Sequence, residues 1–206
     1  MRNKIILAMA AAGMMCATSA FAEGVTPPDY TVGPFGQGKV TFTGTITNAP
    51  CDIAPGDDNL TVNFGQISYR KLNKENGTSD MKPVTIHLQN CSFDPDNSTP
   101  NQNPVGKMSK VSVTFSSATQ TDTSLHAYIN TPGNNMATGV GVQLLKDDAT
   151  TVLDPATLES TGTEPQQLKK DNNQIQLYAQ LINLGGADSV KAGEINIPLN
   201  YTLTYN

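Results

Sequence analysis

Apolar and polar positions alternate strictly over residues 193–206, GEINIPLNYTLTYN. Ile195, Ile197, Leu199, Tyr201, Leu203 and Tyr205 take every second place, and Glu194, Asn196, Asn200, Thr202 and Thr204 fill the gaps. Strand side chains alternate between two faces, so this spacing predicts a strand with one buried face. Pro198 falls on the polar face and has no N–H to donate, which predicts a position where a neighbouring strand is absent or interrupted. A row of this length needs a partner strand on each side.

The same period recurs along the chain. Residues 39–51, KVTFTGTITNAPC, alternate apolar residues with threonine and stop at Asn48-Ala49-Pro50, which predicts a first strand that delivers Cys51 to the core. Short strands are predicted at 59–64, 111–115, 139–145 and 150–153. Longer ones fall at 82–91, with Val84, Ile86, Leu88 and Asn90 on one face and His87 on the other, and at 174–184, with Ile175, Leu177, Ala179 and Leu181 in a row. The stretches at 68–80, 93–110, 116–135 and 154–171 are polar and read as loops, with Asn76-Gly77 and Gly185-Gly186 as turn signals. Seven or eight short strands without a repeat or a second domain predict an all-β sandwich of the immunoglobulin type. The abundance of Thr, Asn and Gln and the absence of Trp fit polar outer faces.

The first 22 residues do not belong to this pattern. Arg2 and Lys4 precede an apolar run from Ile5 to Cys16, and Ala20-Phe21-Ala22 is a small-x-small cleavage site, so residues 1–22 read as a signal peptide. The apolar run is too short for the roughly 20 residues that span a bilayer, so no membrane insertion is expected. Removing Arg2 and Lys4 leaves 11 basic and 18 acidic residues, a net charge of −7. Such a balance argues against nucleic acid or anionic lipid as a partner. Cys51 and Cys91 then remain as an even pair in an exported chain, for which a disulfide is the default reading.

Residues 23–38, EGVTPPDYTVGPFGQG, hold three prolines and four glycines and cannot build a core of their own, which predicts an extended tail. Within it Tyr30, Val32, Pro34, Gly36 and Gly38 share one parity, so the tail is suited to lie as a strand in a groove. The chain has no nucleophile elbow, no phosphate loop and no histidine in a nucleophile context. The run from Asp94 to Ser98 lacks the turn glycine and terminal glutamate of a calcium loop. No enzyme activity, metal or other cofactor is expected.

Several of these stretches together resemble the subunits of chaperone-usher pili, the fimbrial pilins of Gram-negative bacteria. They are GQGKVTFTGTITNAPC at 36–51, the Val62-Asn63-Phe64-Gly65-Gln66 run, Leu88-Gln89-Asn90-Cys91, and a terminus with Gly193 fourteenth from the end and Tyr205 penultimate. From Gly36 onward the rod pilins of P-type and type 1 pili are the most similar. The resemblance implies an immunoglobulin-like fold over residues 39–206 that lacks its last strand and is completed by a donor strand from outside. Strand addition of this kind to a sheet edge is a general recognition mode, of which pilins are the standing example. It implies an acceptor strand carrying Gly193, Ile195, Ile197, Leu199, Tyr201, Leu203, Tyr205 and Asn206. A periplasmic chaperone covers this strand first, with basic residues on the carboxylate of Asn206. At an outer-membrane usher the tail of a neighbouring pilin subunit then replaces the chaperone strand.

On this resemblance residues 23–38 are the donor extension, with Tyr30, Val32, Pro34, Gly36 and Gly38 as its inward row and Gly38 at the position where glycine is required. The row is smaller than the aliphatic rows usual in donor strands. The product is a structural pilin at the cell surface, polymerised by donor-strand exchange and supporting adhesion. A minor, adaptor or terminator subunit, or an exported glycan- or protein-binding adhesin module, is the alternative.

Overall fold

A computed structural model describes residues 39–97 and 103–206. The leader at 1–22 and the tail at 23–38 lie outside the described residues. The chain divides into two units, Met1–Ile46 and Thr47–Asn206. In the first, residues 39–46 form neither helix nor strand, and Val40, Phe42 and Ile46 are 75%, 92% and 102% exposed. The first strand expected at 39–51 is therefore not formed. Alternation reports that a face needs covering, and residues 39–46 have no strand partner among the described residues.

The second unit is built from ten strands and two short helices among the described residues. The strands are β1 (Asp52–Ile53), β2 (Lys82–Cys91), β3 (Lys110–Ser117), β4 (Thr121–Asp122), β5 (Ala127–Ile129), β6 (Val140–Leu145), β7 (Val152–Leu153), β8 (Gln166–Gln167), β9 (Asp171–Asn183) and β10 (Leu199–Tyr205). One sheet has the order β1-β2-β9-β6-β5-β4, with β7 also paired to β6, and the other has the order β10-β3-β8. All named strand pairs are antiparallel. Inward residues of both sheets meet in one core: Ile86 and Leu88 of β2, Val111, Val113 and Phe115 of β3, Val142 and Leu144 of β6, and Ile175, Leu177 and Leu181 of β9. The all-β, immunoglobulin-like class expected from the sequence is thus the class found.

Local chemistry explains where the elements depart from simple alternation. In β2 the inward row is Val84, Ile86 and Leu88, but Asn90 is exposed and Cys91 buried. Asn90 has φ of 54°, and the β2–β9 register shifts between Leu88 and Cys91. This bulge inserts one residue and turns the cysteine inward, where it is bonded to Cys51. Asparagine tolerates the left-handed backbone, and Asn90 Nδ2 donates to the Asp52 carboxylate at 2.9 Å.

The two helices fall in stretches read as loops. Helix α1 (Tyr69–Leu72) is one turn that buries Leu72, and α2 (Pro155–Ser160) buries Leu158. The Asp154 carboxylate caps α2 by accepting from Thr157 N at 3.1 Å, and Pro155 follows at the first helical position, where its missing N–H costs nothing. No helix among the described residues is long and apolar enough to cross a membrane.

Candidate strand-acceptor face

Strand β10 follows from its alternation of Leu and Tyr with Asn and Thr, residue types that suit a half-covered pleated surface. It pairs with β3 along its whole length, from Leu199 beside Ser117 through Tyr201 beside Phe115 and Leu203 beside Val113 to Tyr205 beside Val111. Lys110 and Asn206 extend the ladder by exchanging backbone hydrogen bonds of 3.0 and 2.9 Å. On its other edge β10 has no strand partner among the described residues.

The two strands of this pair are covered unequally. Val111, Val113 and Phe115 are 1%, 0% and 5% exposed, whereas Leu199, Tyr201, Leu203 and Tyr205 are all only half-buried. Val62, Phe64 and Ile67 form a second half-buried row that packs against the same core, in a stretch without strand pairing. The strand expected at 59–64 is hence present as a burial pattern but not as a ladder. The core lacks cover along β10.

Two tyrosines distinguish this face from an ordinary aliphatic edge. Tyr201 Oη donates to the backbone carbonyl of Asp57 at 2.8 Å, joining β10 to the turn Asp57–Asn59 that leads into the second row. That turn is itself fixed to the other sheet. The Asp57 carboxylate accepts from the His87 backbone N–H at 2.5 Å and lies 2.8 Å from His87 Nδ1, and Ala54 N donates to His87 O at 2.9 Å. Burial first, then the nearby Asp57 and Asp58, pushes the Tyr201 phenol above its ordinary pKa. Burial pushes Tyr205 up to about 12, and its buried hydroxyl has no hydrogen-bond partner among the described residues.

The segment leading into β10 takes a different course from the one its alternation suggests. Ile197 is half-buried in line with the row, but Ile195 is 38% exposed. Residues 193–196 instead follow the 130–137 loop, held by Asn130, which is 5% exposed. Its Nδ2 donates to Ala137 O at 2.8 Å and Glu194 O at 2.9 Å, and its Oδ1 accepts from Asn196 N at 2.8 Å. Glycine is required at 193 by this approach, since a Cβ there would lie 2.4 Å from Ala137 N and from the Met136 carbonyl carbon. Sequence reasoning did not find Asn130, a single polar residue whose partners lie far along the chain.

The remaining site residues are placed as follows. Cys51 and Cys91 are bonded and both 4% exposed, so the expected disulfide is present. Tyr30, Val32, Pro34, Gly36 and Gly38 lie outside the described residues. Immediately after them Val40, Phe42, Gly44 and Ile46 continue the same parity, with large side chains fully open to solvent at 42 and 46. No group of three or more His, Cys, Asp or Glu among the described residues is placed to hold a metal ion.

Known proteins match this chain over the same region. Residues 40–206 match the family described as Fimbrial protein. The chain is 34% identical to the Fimbria A protein of Serratia marcescens over 82% of its own length and 85% of the relative's. It is 32% identical to the uncharacterized fimbrial-like protein YbgD of Escherichia coli K12, over 82% and 86%. A chaperone-usher pilus structure solved to explain rod uncoiling shares the fold, with a TM-score of 0.65, 24% identity and 85% and 99% coverage. The P pilus rod subunit PapA does so with a TM-score of 0.56, 21% identity and 77% and 100% coverage. The chain belongs to the family described as Fimbrial protein, structural subunits exported to the cell surface, and its fold is the fold of chaperone-usher pilus subunits.

Proposed function

We propose that this chain polymerises into a surface fimbria by donor-strand exchange, β10 accepting a strand from a neighbouring subunit and residues 23–38 being the strand it donates. One observation carries the reading. The chain has a half-covered apolar row on β10, and the outer edge of that strand has no strand partner among the described residues. An exposed edge above an open core also invites aggregation, which supports a periplasmic chaperone strand on β10 before assembly and an outer-membrane usher where the exchange takes place.

In this reading the donor row is Tyr30, Val32, Pro34, Gly36 and Gly38 of residues 23–38, and the pilin domain begins at Lys39, in keeping with the family match over residues 40–206. The acceptor strand comprises Ile197, Leu199, Tyr201, Leu203 and Tyr205, with Gly193 and Ile195 serving the turn that leads into it. Asn206 closes the ladder with Lys110. The assembled fibre supports adhesion, and residues 1–22 direct export.

The test is a deletion in the exported chain. Removing residues 23–38 should give a chaperone-bound subunit that accepts a strand but adds to no neighbour. Normal fibres from this deletion, seen by electron microscopy and by laddering on unheated gels, would refute the proposal.

A further inference from the structure

The first sheet ends at β1 and the second at β10, and one side chain spans the two ends. Tyr201 belongs to the inward row of β10, and its Oη donates to the carbonyl of Asp57, just past the end of β1. That carbonyl sits on a turn that β2 holds in place. The Asp57 carboxylate accepts from the His87 main-chain N–H and lies 2.8 Å from His87 Nδ1, while Ala54 N donates to His87 O at 2.9 Å and Asp57 N to Ala54 O at 3.0 Å. The phenol is therefore a bar from one sheet to the other. It crosses the flank on which β10 has no strand beside it among the described residues.

Resting on the donor-strand reading above, we infer that Tyr201, Asp57 and His87 form a latch that holds the acceptor face shut in the subunit without a donor, and that strand entry requires the phenol to leave Asp57. Tyr201 is the bar and Asp57 the catch. His87 is a positioning residue that acts through Asp57. A strand laid along the outer edge of β10 sends every second side chain into the space between the two sheet ends. The bar crosses that same space.

A contact made only in the unoccupied state stabilises that state and opposes the incoming strand by the same factor. One hydrogen bond between neutral groups amounts to about fivefold in an equilibrium constant. A latch of that size yields to a strand that buries a whole apolar row, and it delays strands that bury less. A contact kept in both states would leave strand uptake unchanged, so the effect of removing the hydroxyl separates a latch from a simple structural bond.

The test uses the chain from Glu23 onward, refolded without a chaperone, with fibre growth followed by laddering on unheated gels and stability by urea unfolding. Tyr201→Phe keeps the ring and removes the hydroxyl. It should lower the stability of the free subunit and yet speed fibre growth about fivefold. Asp57→Ala leaves the carbonyl but frees the turn from His87, and it should act in the same direction. The double variant should grow no faster than the faster single one, since both open one latch. His87→Ala removes only the ring's share of the anchor and should give a smaller change of the same sign. Ile175→Val, in the middle of the first sheet, should lower stability without speeding growth. Faster growth from Ile175→Val, or growth of Tyr201→Phe at or below the unsubstituted rate, refutes the latch. If the refolded chain does not hold its fold, fibres exported by cells decide: Tyr201→Phe fibres should dissociate no faster than unsubstituted ones on heating in detergent, and faster dissociation assigns the contact to the occupied face and refutes the latch. Absence of fibres from the unsubstituted chain in both settings overturns the donor-strand reading and the latch with it.

Discussion

Strands β9 and β10 carry the same alternating pattern and meet different fates. In β9 the row Ile175, Leu177, Ala179 and Leu181 is 5%, 5%, 3% and 0% exposed, with β2 on one edge and β6 on the other. In β10 the row Leu199, Tyr201, Leu203 and Tyr205 is half-buried throughout, with β3 on one edge and no strand on the other among the described residues. Sequence periodicity measures what a strand would bury if it were covered. How much it does bury depends on whether the neighbours are in the same molecule. The difference between the two strands is therefore the surface that, on the proposed reading, another subunit would cover.

That comparison is open to direct attack. Leu181→Ala, in the closed row, should lower the stability of the subunit without a donor by about 3–5 kcal/mol, and Leu203→Ala, in the open row, by roughly 1 kcal/mol. Urea unfolding measures both, and equal losses would show that β10 is as well covered as β9. In assembled fibres the Leu203→Ala cost should grow towards that of Leu181→Ala.

Gly193→Ala comes next in size. The added Cβ meets main-chain atoms that Asn130 holds in place, so a loss of about 1–3 kcal/mol is expected in the free subunit. If Gly193→Ala impaired only chaperone capture and left thermal unfolding unchanged, the glycine would belong to the partner interface and not to the loop contact.

The smallest effect concerns Tyr205. Its buried hydroxyl has no partner among the described residues, so Tyr205→Phe should raise stability by up to about 1 kcal/mol. An unchanged stability would mean that water reaches the hydroxyl, and that the open row is wetter than its burial indicates. The phenol also gives the comparison a pH signature. Burial raises Tyr205 from 10.0 to about 12, so the folded state prefers the neutral phenol. The resulting stability is present in full below pH 10 and is lost as pH rises towards 12. Tyr128, on β5 and pushed up to about 12 mainly by its burial, contributes in the same window. Tyr205→Phe should therefore move the alkaline unfolding midpoint upward without removing it, which circular dichroism would follow.

Much of this was legible before any coordinates, and the gaps have separate causes. Strands β2, β9 and β10, the pairing of Cys51 with Cys91 and the sandwich class follow from period two and from cysteine chemistry in an exported chain. The strand expected at 39–51 did not form, because alternation at Val40, Phe42 and Ile46 cannot say which molecule will cover it. Helix α2 is too short to show a helical period, although Asp154-Pro155 is a start signal for those who weight caps over periods. The reversal of face at Asn90 comes from one left-handed residue, and a strict period of two predicted the wrong side for Cys91. Asn130 gave no local signal, since its partners Ala137, Glu194 and Asn196 are brought to it only by the fold.

The disulfide has a mechanical meaning once the chain is pictured under tension. Force applied to residues 39–46 enters the folded unit through residues 47–51. Strand β1 is held to β2 by only two residue pairs, Asp52 with Gln89 and Ile53 with Leu88, and would peel under that load. The bond from Cys51 to Cys91 passes the load covalently to the end of β2, whose ladder with β9 runs from Lys82 beside Ala179 to Cys91 beside Asp171. Tension then meets a long interior strand in shear, and the weak edge strand is bypassed.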